Sequence, residues 1–266
     1  MLTLYALAWG WRFIMEEFDM YTGFAYVYDE FMDNIPYDEW HEYLHDILKS
    51  NGVTEGLVAE LACGTGIMTE KLAKDGYDMI GIDLSYDMLE VARERCPENV
   101  LLLEQDMREV DLYGSVAAFV CVCDGMNYLI EDGDLYQTFK KVKTFLDYGG
   151  VFIFDMKTEY FYQNVLGDRT IVDNREDASF IWENQYDKDT CINEYLLTIY
   201  ALADDENDMF ERCDELHRQR AYKKEFVKQE LERAGLELLN IYEAFTKNEP
   251  SECSERLYFV ARRNFD

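Results

Sequence analysis

Positive charge, proline and histidine are all scarce in this sequence of 266 residues. It has 25 Lys and Arg against 55 Asp and Glu, a formal net charge of -30, only 3 prolines and only 3 histidines. A surface this acidic repels phosphate backbones and anionic lipid, so nucleic acid and membranes are poor candidate partners. Because 48% of the residues are hydrophobic and 15% are aromatic, the composition nevertheless indicates a folded globular chain.

The seven cysteines form no regular framework. No Cys-x-x-Cys occurs, and no histidine is spaced near a cysteine as a metal ligand, so no metal site is predicted. Cys121 and Cys123 lie in an apolar run, where strand alternation predicts that both pack on one buried face. Unpaired cysteines favour a reducing compartment, and we expect a cytoplasmic protein.

The first 14 residues are apolar, but they are too short to span a bilayer and lack the features of a signal peptide. Met15 opens a polar segment with helical character. We therefore expect the native chain to start at Met15, with 1–14 a non-native leader and 15–55 an N-terminal helical cap.

From Gly56 onward, short apolar runs alternate with amphipathic stretches, which is typical of a parallel, doubly wound sheet. The pattern changes at 166–220, where longer β-rich runs are separated by Asp, Asn and Lys turns. The sequence thus predicts an α/β fold: a Rossmann-like, mostly parallel sheet of seven strands. Residues 56–165 and 221–266 form this domain, and 166–220 form an inserted antiparallel β subdomain that serves as a lid.

The stretch VAELACGTGIMT, at 58–69, places Gly64 and Gly66 between a predicted strand and a predicted helix. This arrangement presents backbone N–H groups to a ligand. Asp83, at the end of the next strand, can accept hydrogen bonds from the hydroxyls of a ribose. Thr69 replaces the third glycine of a dinucleotide fingerprint. Glu60 brings a carboxylate that would repel a pyrophosphate and suit a cationic ligand. These residues argue against NAD and against a Rossmann oxidoreductase.

Three segments in order, ELACGTG, GIDLS and EQDM, resemble the cofactor motifs of class I S-adenosylmethionine (SAM)-dependent methyltransferases. The resemblance covers roughly 56–156, and the layout of the chain is similar to bacterial small-molecule enzymes and somewhat to glycine N-methyltransferase. One departure is Ala62, where most members carry a glycine. We expect alanine to be tolerated there because φ stays negative.

The resemblance implies SAM as cofactor and a role for each matching residue. Glu60, Ala62 and Gly64 would line the methionine moiety, beside Gly66. Asp83 would bind the ribose, and Leu84 and Met88 would contact the adenine. Asp106 would accept from the adenine amino group, with the Met107 backbone beside it, and Asp124 would face the reacting methyl group. Tyr28 and Trp40, with Tyr21 as a second candidate, would hold the cofactor carboxylate. Tyr28 also has the helical spacing of a core residue.

The predicted function is methyl transfer to an N, O or S atom of a small molecule, by a monomer or homodimer. His217, Asn127 and Tyr128 are candidate catalytic residues, since a histidine near neutrality can act as a base; His217 could equally be structural. A non-catalytic SAM-binding protein is the alternative. A nucleic-acid methyltransferase is a weaker one, suggested by NIPY at 34–37 and opposed by the net charge.

Overall fold

A computed structural model describes Asp29, Phe31, 36–204 and 209–264. Tyr21, Tyr28 and the predicted leader lie outside these residues. The helices are α1 (Tyr37–Ser50), α2 (Ile67–Lys74), α3 (Tyr86–Arg95), α4 (Asp134–Phe145) and α5 (Lys224–Ala234), with a 3-10 turn at Gly125–Tyr128 and a π-helical turn at Phe161–Leu166. No helix in this described part of the chain is long and apolar enough to cross a membrane.

The main sheet has seven strands in the order β10-β11-β5-β4-β1-β2-β3. Its strands are β1 (Leu57–Leu61), β2 (Asp78–Asp83), β3 (Leu101–Glu104), β4 (Val116–Cys121), β5 (Leu146–Lys157), β10 (Leu236–Glu243) and β11 (Arg256–Arg263). Neighbours among β1 to β5 are parallel, and β11 is antiparallel to both β5 and β10. The prediction of a mostly parallel Rossmann-like sheet is confirmed. The strand order reverses between β1 and β4, and sheets of this kind bind ligands outside the carboxyl ends of the strands at that point.

Each face of this sheet carries its own hydrophobic core. Along β5, Phe152 and Phe154 pack toward α4 and α5, and Ile153 packs on the opposite face toward α1 and α2. The rings of Phe154 and Phe259 on β11 stack with centroids 4.9 Å apart. Fully burying one such side chain contributes about 1.5–3 kcal/mol, so strands that are apolar on both faces belong in the centre of the sheet.

The second sheet follows β5 in the chain and is antiparallel throughout, in the order β6-β7-β8-β9. Its strands are β6 (Thr170–Asn174), β7 (Ala178–Asp187), β8 (Ile192–Asp204) and β9 (Met209–Arg220). Tyr195, Leu197 and Ile199 of β8 form a small core with Phe31, whose ring meets Phe180 edge-on. The predicted run of antiparallel strands in this region is confirmed.

The two neighbouring cysteines of β4 do not share a face. Cys121 is fully buried in the core on the α4 side, whereas Cys123 packs against the core on the α1 side. The prediction of a common face is wrong because β4 ends at Cys121, and the backbone then turns through left-handed conformations at Cys123 (φ 60°) and Asp124 (φ 58°). Strand alternation therefore does not reach Cys123.

Candidate functional site

The loop between β1 and α2 turns through three left-handed residues: Ala62 (φ 52°), Gly64 (φ 53°) and Gly66 (φ 76°). The expected negative φ at Ala62 is wrong, because the turn that begins at the end of β1 needs a left-handed residue at that position. Such a conformation costs a residue with a β-carbon roughly 1–2 kcal/mol. Glycine adopts a left-handed φ without this cost, so in this chain the backbone of Ala62 is strained at the edge of the site.

Gly66 has a packing role that the sequence did not indicate. It caps the N-terminus of α2, and a β-carbon there would lie 2.9 Å from Cys96 Sγ and 3.0 Å from the Ala92 β-carbon. The missing side chain lets α2 start against α3. Gly66 does not itself line the cleft described below.

Asp83, the last residue of β2, is hydrogen-bonded to the backbone on both sides of the cleft. Its Oδ2 accepts the Gly64 N–H at 2.8 Å, and its Oδ1 accepts the Ser85 N–H at 2.9 Å. Burial raises the pKa of Asp83 against the opposing effect of these backbone bonds. The carboxylate thus joins the glycine loop to the start of α3.

Glu60 lies beneath the glycine loop and is only 2% exposed. Its carboxyl accepts a hydrogen bond from the hydroxyl of Thr69, the residue that replaces the third glycine. Burial raises the pKa of Glu60 to about 8, the Thr69 bond opposing and the nearby Asp83 adding to the increase. At neutral pH the carboxyl is therefore mostly uncharged, held ready to ionise beside a cation.

Asp106 follows β3 and is held by Arg108. The Arg108 backbone N–H donates to Oδ1 at 2.8 Å and its Nε contacts both carboxylate oxygens at 3.0 Å. Burial disfavours the charged carboxylate, but the bonds and charge of Arg108 outweigh it and lower the pKa of Asp106. Arg108 also reaches Asp134 Oδ2, at 3.4 Å.

These side chains share one cleft of about 870 Å³ at the carboxyl ends of β1, β2 and β3, within the usual range for small-molecule sites. The predicted residues that line it are Glu60, Ala62, Gly64, Asp83, Leu84, Met88, Asp106, Met107 and Tyr128. Met88 is 2% exposed and forms part of the apolar wall of the cleft. Leu84 is 60% exposed and lies at its rim.

Asp124 does not line this cleft. It receives Lys157 Nζ at 2.9 Å, Arg256 Nη2 at 2.8 Å and Gln219 Nε2 at 2.9 Å. Burial opposes its charge, but Lys157 and Arg256 outweigh burial and hold the pKa of Asp124 at about 2. Its carboxylate is thus already neutralised by protein cations.

Arg256 is the centre of this buried charge cluster. Its second nitrogen, Nη1, contacts Asp155 Oδ2 at 2.7 Å, and its guanidinium lies 4.8 Å from the ring of Trp40. Asp155 is fully buried and also accepts the backbone N–H of Asp124 at 2.8 Å. Trp40 therefore packs over a cation beside the cleft, and its neighbour on α1, Tyr37, lines the cleft instead.

Asn127 is fully buried and ties three chain segments together. Its Nδ2 donates to the carbonyls of Lys157 and Arg220 at 3.2 and 2.9 Å, and its Oδ1 accepts the Lys157 N–H at 2.9 Å. All these partners are backbone groups, so Asn127 fixes the 3-10 turn against β5 and β9. The amide of Asn127 therefore has a structural role, since these hydrogen bonds all go to backbone groups.

Tyr128 and His217 form a hydrogen-bonded chain that starts at the cleft and runs into the second sheet. The Tyr128 hydroxyl lies 3.2 Å from His217 Nδ1 and 2.9 Å from the Tyr195 hydroxyl. His217 Nε2 lies 3.0 Å from Glu215 Oε2, and both residues are 1% exposed. In the tautomer that suits an acceptor at Glu215, His217 Nε2–H donates a hydrogen bond to the Glu215 carboxylate, and Nδ1 then accepts one from the Tyr128 hydroxyl.

Several residues that shape the site were not predicted. Arg108 could have been suspected from its place two residues after Asp106. Asp29 accepts a hydrogen bond from Thr65 of the glycine loop at 2.7 Å, which brings the N-terminal region to the cleft. Arg256 carries no local signal, because it depends on contacts between distant parts of the chain. Glu215 could have been suspected, because it lies two residues before His217 on β9 and a strand places both on one face. Tyr21 and Tyr28 lie outside the described residues, and their predicted contacts stay predictions.

Comparison with known sequences agrees with this geometry. A family model described as a methyltransferase domain matches residues 58–150. YqeM of Bacillus subtilis (strain 168), a protein named as a methyltransferase, is 35% identical over 248 residues, covering 92% of this chain and 98% of its own.

Solved structures share the fold over most of the chain. A SAM-dependent methyltransferase from Clostridium acetobutylicum ATCC 824 has a TM-score of 0.80 and 26% identity, covering 92% of this chain and 100% of its own. CalS10, an amino pentose methyltransferase from Micromonospora echinaspora with SAM bound, has a TM-score of 0.71 and 18% identity, covering 90% and 96%. The predicted family and cofactor are confirmed. The chain belongs to the class I S-adenosylmethionine-dependent methyltransferases.

Proposed function

We propose that this enzyme transfers a methyl group from SAM to a nitrogen, oxygen or sulfur atom of a small molecule, with the cofactor in the cleft beside the glycine loop. The observation that carries the proposal is the convergence of three acidic side chains, Glu60, Asp83 and Asp106, on that one cleft. They lie at or just beyond the carboxyl ends of three neighbouring parallel strands, so the fold itself brings them together.

The donor set fits this cofactor better than a dinucleotide. Asp83 has the carboxylate that ribose hydroxyls require, and Glu60 is a buried carboxyl that would ionise beside a cationic ligand and attract it, a gain that a pyrophosphate would not have. Asp106 would accept from the adenine amino group, beside Met88 and the Met107 backbone. Ala62 and Gly64 would line the methionine end, with Tyr28, Tyr21 or Trp40 near its carboxylate.

Bound SAM supplies an activated methyl group, so the protein has to align the acceptor, exclude water and, where needed, remove a proton. Tyr128 lines the cleft, and its hydroxyl lies within hydrogen-bond distance of His217 Nδ1. We assign Tyr128 to orient the acceptor and pass its proton to His217, whose charge Glu215 then stabilises. Asn127 and Asp124 act differently: they hold the floor of the site in place.

The acceptor is expected to be a small molecule that carries an amine or hydroxyl. Structural relatives include an amino pentose methyltransferase, although their low identity shows the fold alone. The second sheet at 166–220 and the cap at 15–55 would close over the acceptor. The chain is expected to act in the cytoplasm, as a monomer or homodimer.

Calorimetric titration with SAM and with S-adenosylhomocysteine tests the proposal, NAD serving as the comparison ligand. We expect both SAM compounds to bind, and Asp83→Ala to weaken them by roughly 100-fold, since hydrogen bonds to a charged group contribute about 1.5–3 kcal/mol each. Asp78→Ala removes an exposed carboxylate from the other end of β2 and serves as the matched control. Binding of NAD without SAM would sink the proposal.

Turnover is read separately, from the consumption of labelled SAM in metabolite pools. Formation of a labelled product by wild type, and its loss in Asp83→Ala, would support the assignment as a methyltransferase. SAM binding without turnover in any pool would favour the non-catalytic alternative. With the acceptor identified, Tyr128→Phe should lower kcat more than it raises KM.

A further inference from the structure

Two of the three histidines in the chain lie on one face of α1. His41 and His45 are four residues apart, so successive helical turns bring their rings together, with centroids 5.8 Å apart. Their side chains are 19% and 17% exposed, so the pair lies at the protein surface. This spacing on a helix presents two imidazoles to a single metal ion.

A third donor comes from a different helix. Asp75 follows the last residue of α2, and its Oδ2 lies 2.7 Å from His41 Nε2 and in direct contact with His45 Nδ1. The three donor atoms lie within 4.8 Å of one another. Tetrahedral ligands with bonds near 2.1 Å lie about 3.4 Å apart, a separation within this range.

We propose that His41, His45 and Asp75 form a binding site for a divalent transition metal ion of the Zn²⁺ class, separate from the cofactor cleft. Two imidazoles and one carboxylate select Zn²⁺, Cu²⁺ or Ni²⁺ over Mg²⁺ and Ca²⁺, which prefer oxygen ligands. Three protein ligands leave the fourth position to water. The bound ion joins α1 to the end of α2.

The surroundings favour a cation at this position. The protein carries a net charge of -30, which raises the local concentration of positive ions. Both lysines of α2 are paired with carboxylates outside the cluster, Lys71 with Asp38 at 2.5 Å and Lys74 with Glu70 at 2.7 Å. Tyr77 packs edge-on against His45, with centroids 5.7 Å apart, and helps to fix its ring. None of the three ligands takes part in the proposed cofactor or acceptor contacts, so the site is independent of the proposed function.

The test is calorimetric titration of the full chain with Zn²⁺, using protein that carries no polyhistidine tag. We expect one Zn²⁺ per chain, and no comparable binding of Mg²⁺. His41→Gln, His45→Gln and Asp75→Asn should each weaken Zn²⁺ by at least roughly 10- to 100-fold, the loss typical even of residues that only support a ligand. Asp46→Asn, which removes a carboxylate from the same helix outside the cluster, should bind as wild type does.

The third histidine makes this test selective. His217 is 1% exposed and contacts Glu215 and Tyr128, so histidine-dependent binding of Zn²⁺ reports the α1 cluster. Thermal unfolding is the second readout: Zn²⁺ should raise the midpoint of wild type and leave that of His45→Gln unchanged. Zn²⁺ binding that survives both histidine substitutions and disappears with Cys253→Ser would overturn the site, as would equal weak binding to every variant.

Discussion

The buried carboxyl of Glu60 predicts a specific dependence of stability on pH. Its pKa is about 8 in the folded chain, against an ordinary value of 4.5 that applies when the chain unfolds. A raised pKa means that the folded state binds the proton more tightly. The contribution of Glu60 to stability is therefore complete below about pH 4.5 and is lost as the pH rises through about 8.

The magnitude follows from the two pKa values. Between pH 5 and pH 7, folding must bring a proton onto a carboxyl that is increasingly ionised in the unfolded chain, which costs about 2–3 kcal/mol across that interval. Glu60→Gln keeps an oxygen that can accept from the Thr69 hydroxyl and has no proton to take up. The variant should therefore gain on wild type by this amount as the pH rises, whatever its offset at pH 5.

The assay is thermal unfolding of both proteins at a series of pH values. A difference of 2–3 kcal/mol corresponds to a relative shift of roughly 5–10 °C in the midpoint for a chain of this size. Every other titrating group is common to both proteins, so the change in their difference isolates Glu60. Glu90→Gln makes the same side-chain change on the surface of α3 and should give a constant difference. A constant difference for Glu60→Gln as well would refute the reasoning.

Three more substitutions test other parts of the structure by guanidinium denaturation. Arg256→Met leaves the fully buried Asp155 without its cation and Asp124 with Lys157 alone, and should lower the free energy of unfolding by about 3–5 kcal/mol; unchanged stability would contradict the buried cluster. Ala62→Gly removes a β-carbon from a left-handed residue and should raise it by roughly 1 kcal/mol, whereas a loss would contradict the observed φ. Gly66→Ala drives a β-carbon into α3 and should lower it by about 1–3 kcal/mol; a neutral effect would mean that the helix can move aside.

The sequence predicted the fold well because its signals are local and repeated. Alternating apolar and amphipathic stretches indicate βα units wherever they occur, and the carboxyl ends of neighbouring strands then bring Glu60, Asp83 and Asp106 together. The left-handed φ of Ala62 escaped prediction, because alanine has no preference for it and the turn imposes it. The protonation of Glu60 also escaped, because a pKa depends on burial that only the folded chain provides.

Contacts between residues that are far apart in the sequence also escaped prediction. His41 and His45 show a metal-binding spacing in the sequence itself, yet Asp75 becomes their neighbour only when α1 packs on α2. The family resemblance implied that Asp124, just beyond the fourth strand, faces the cofactor. Its actual partners include Gln219, 95 residues away, and the pattern of β4 contains nothing that indicates them.

The position of Arg256 also bears on the order in which the molecule can be assembled. The residue lies on β11, which sits between β5 and β10, and its contact with Asp124 spans 132 residues. During synthesis, β1 to β5 and the second sheet emerge well before β11. Until then, Asp124 and Asp155 have no guanidinium between them, and the edge of β5 that β11 will cover stays open.

An early, stably closed intermediate is therefore disfavoured, because completing it would bury Asp155 without its cation and leave Asp124 with Lys157 alone. Pairing of β11 therefore completes two parts of the fold together. It brings Arg256 to Asp124 and Asp155, and it covers the open edge of β5. A nascent chain that stops short of Arg256 would expose that edge to other chains, the usual route to aggregation. Assembly of the site and protection of the sheet thus depend on one late-arriving side chain and its strand.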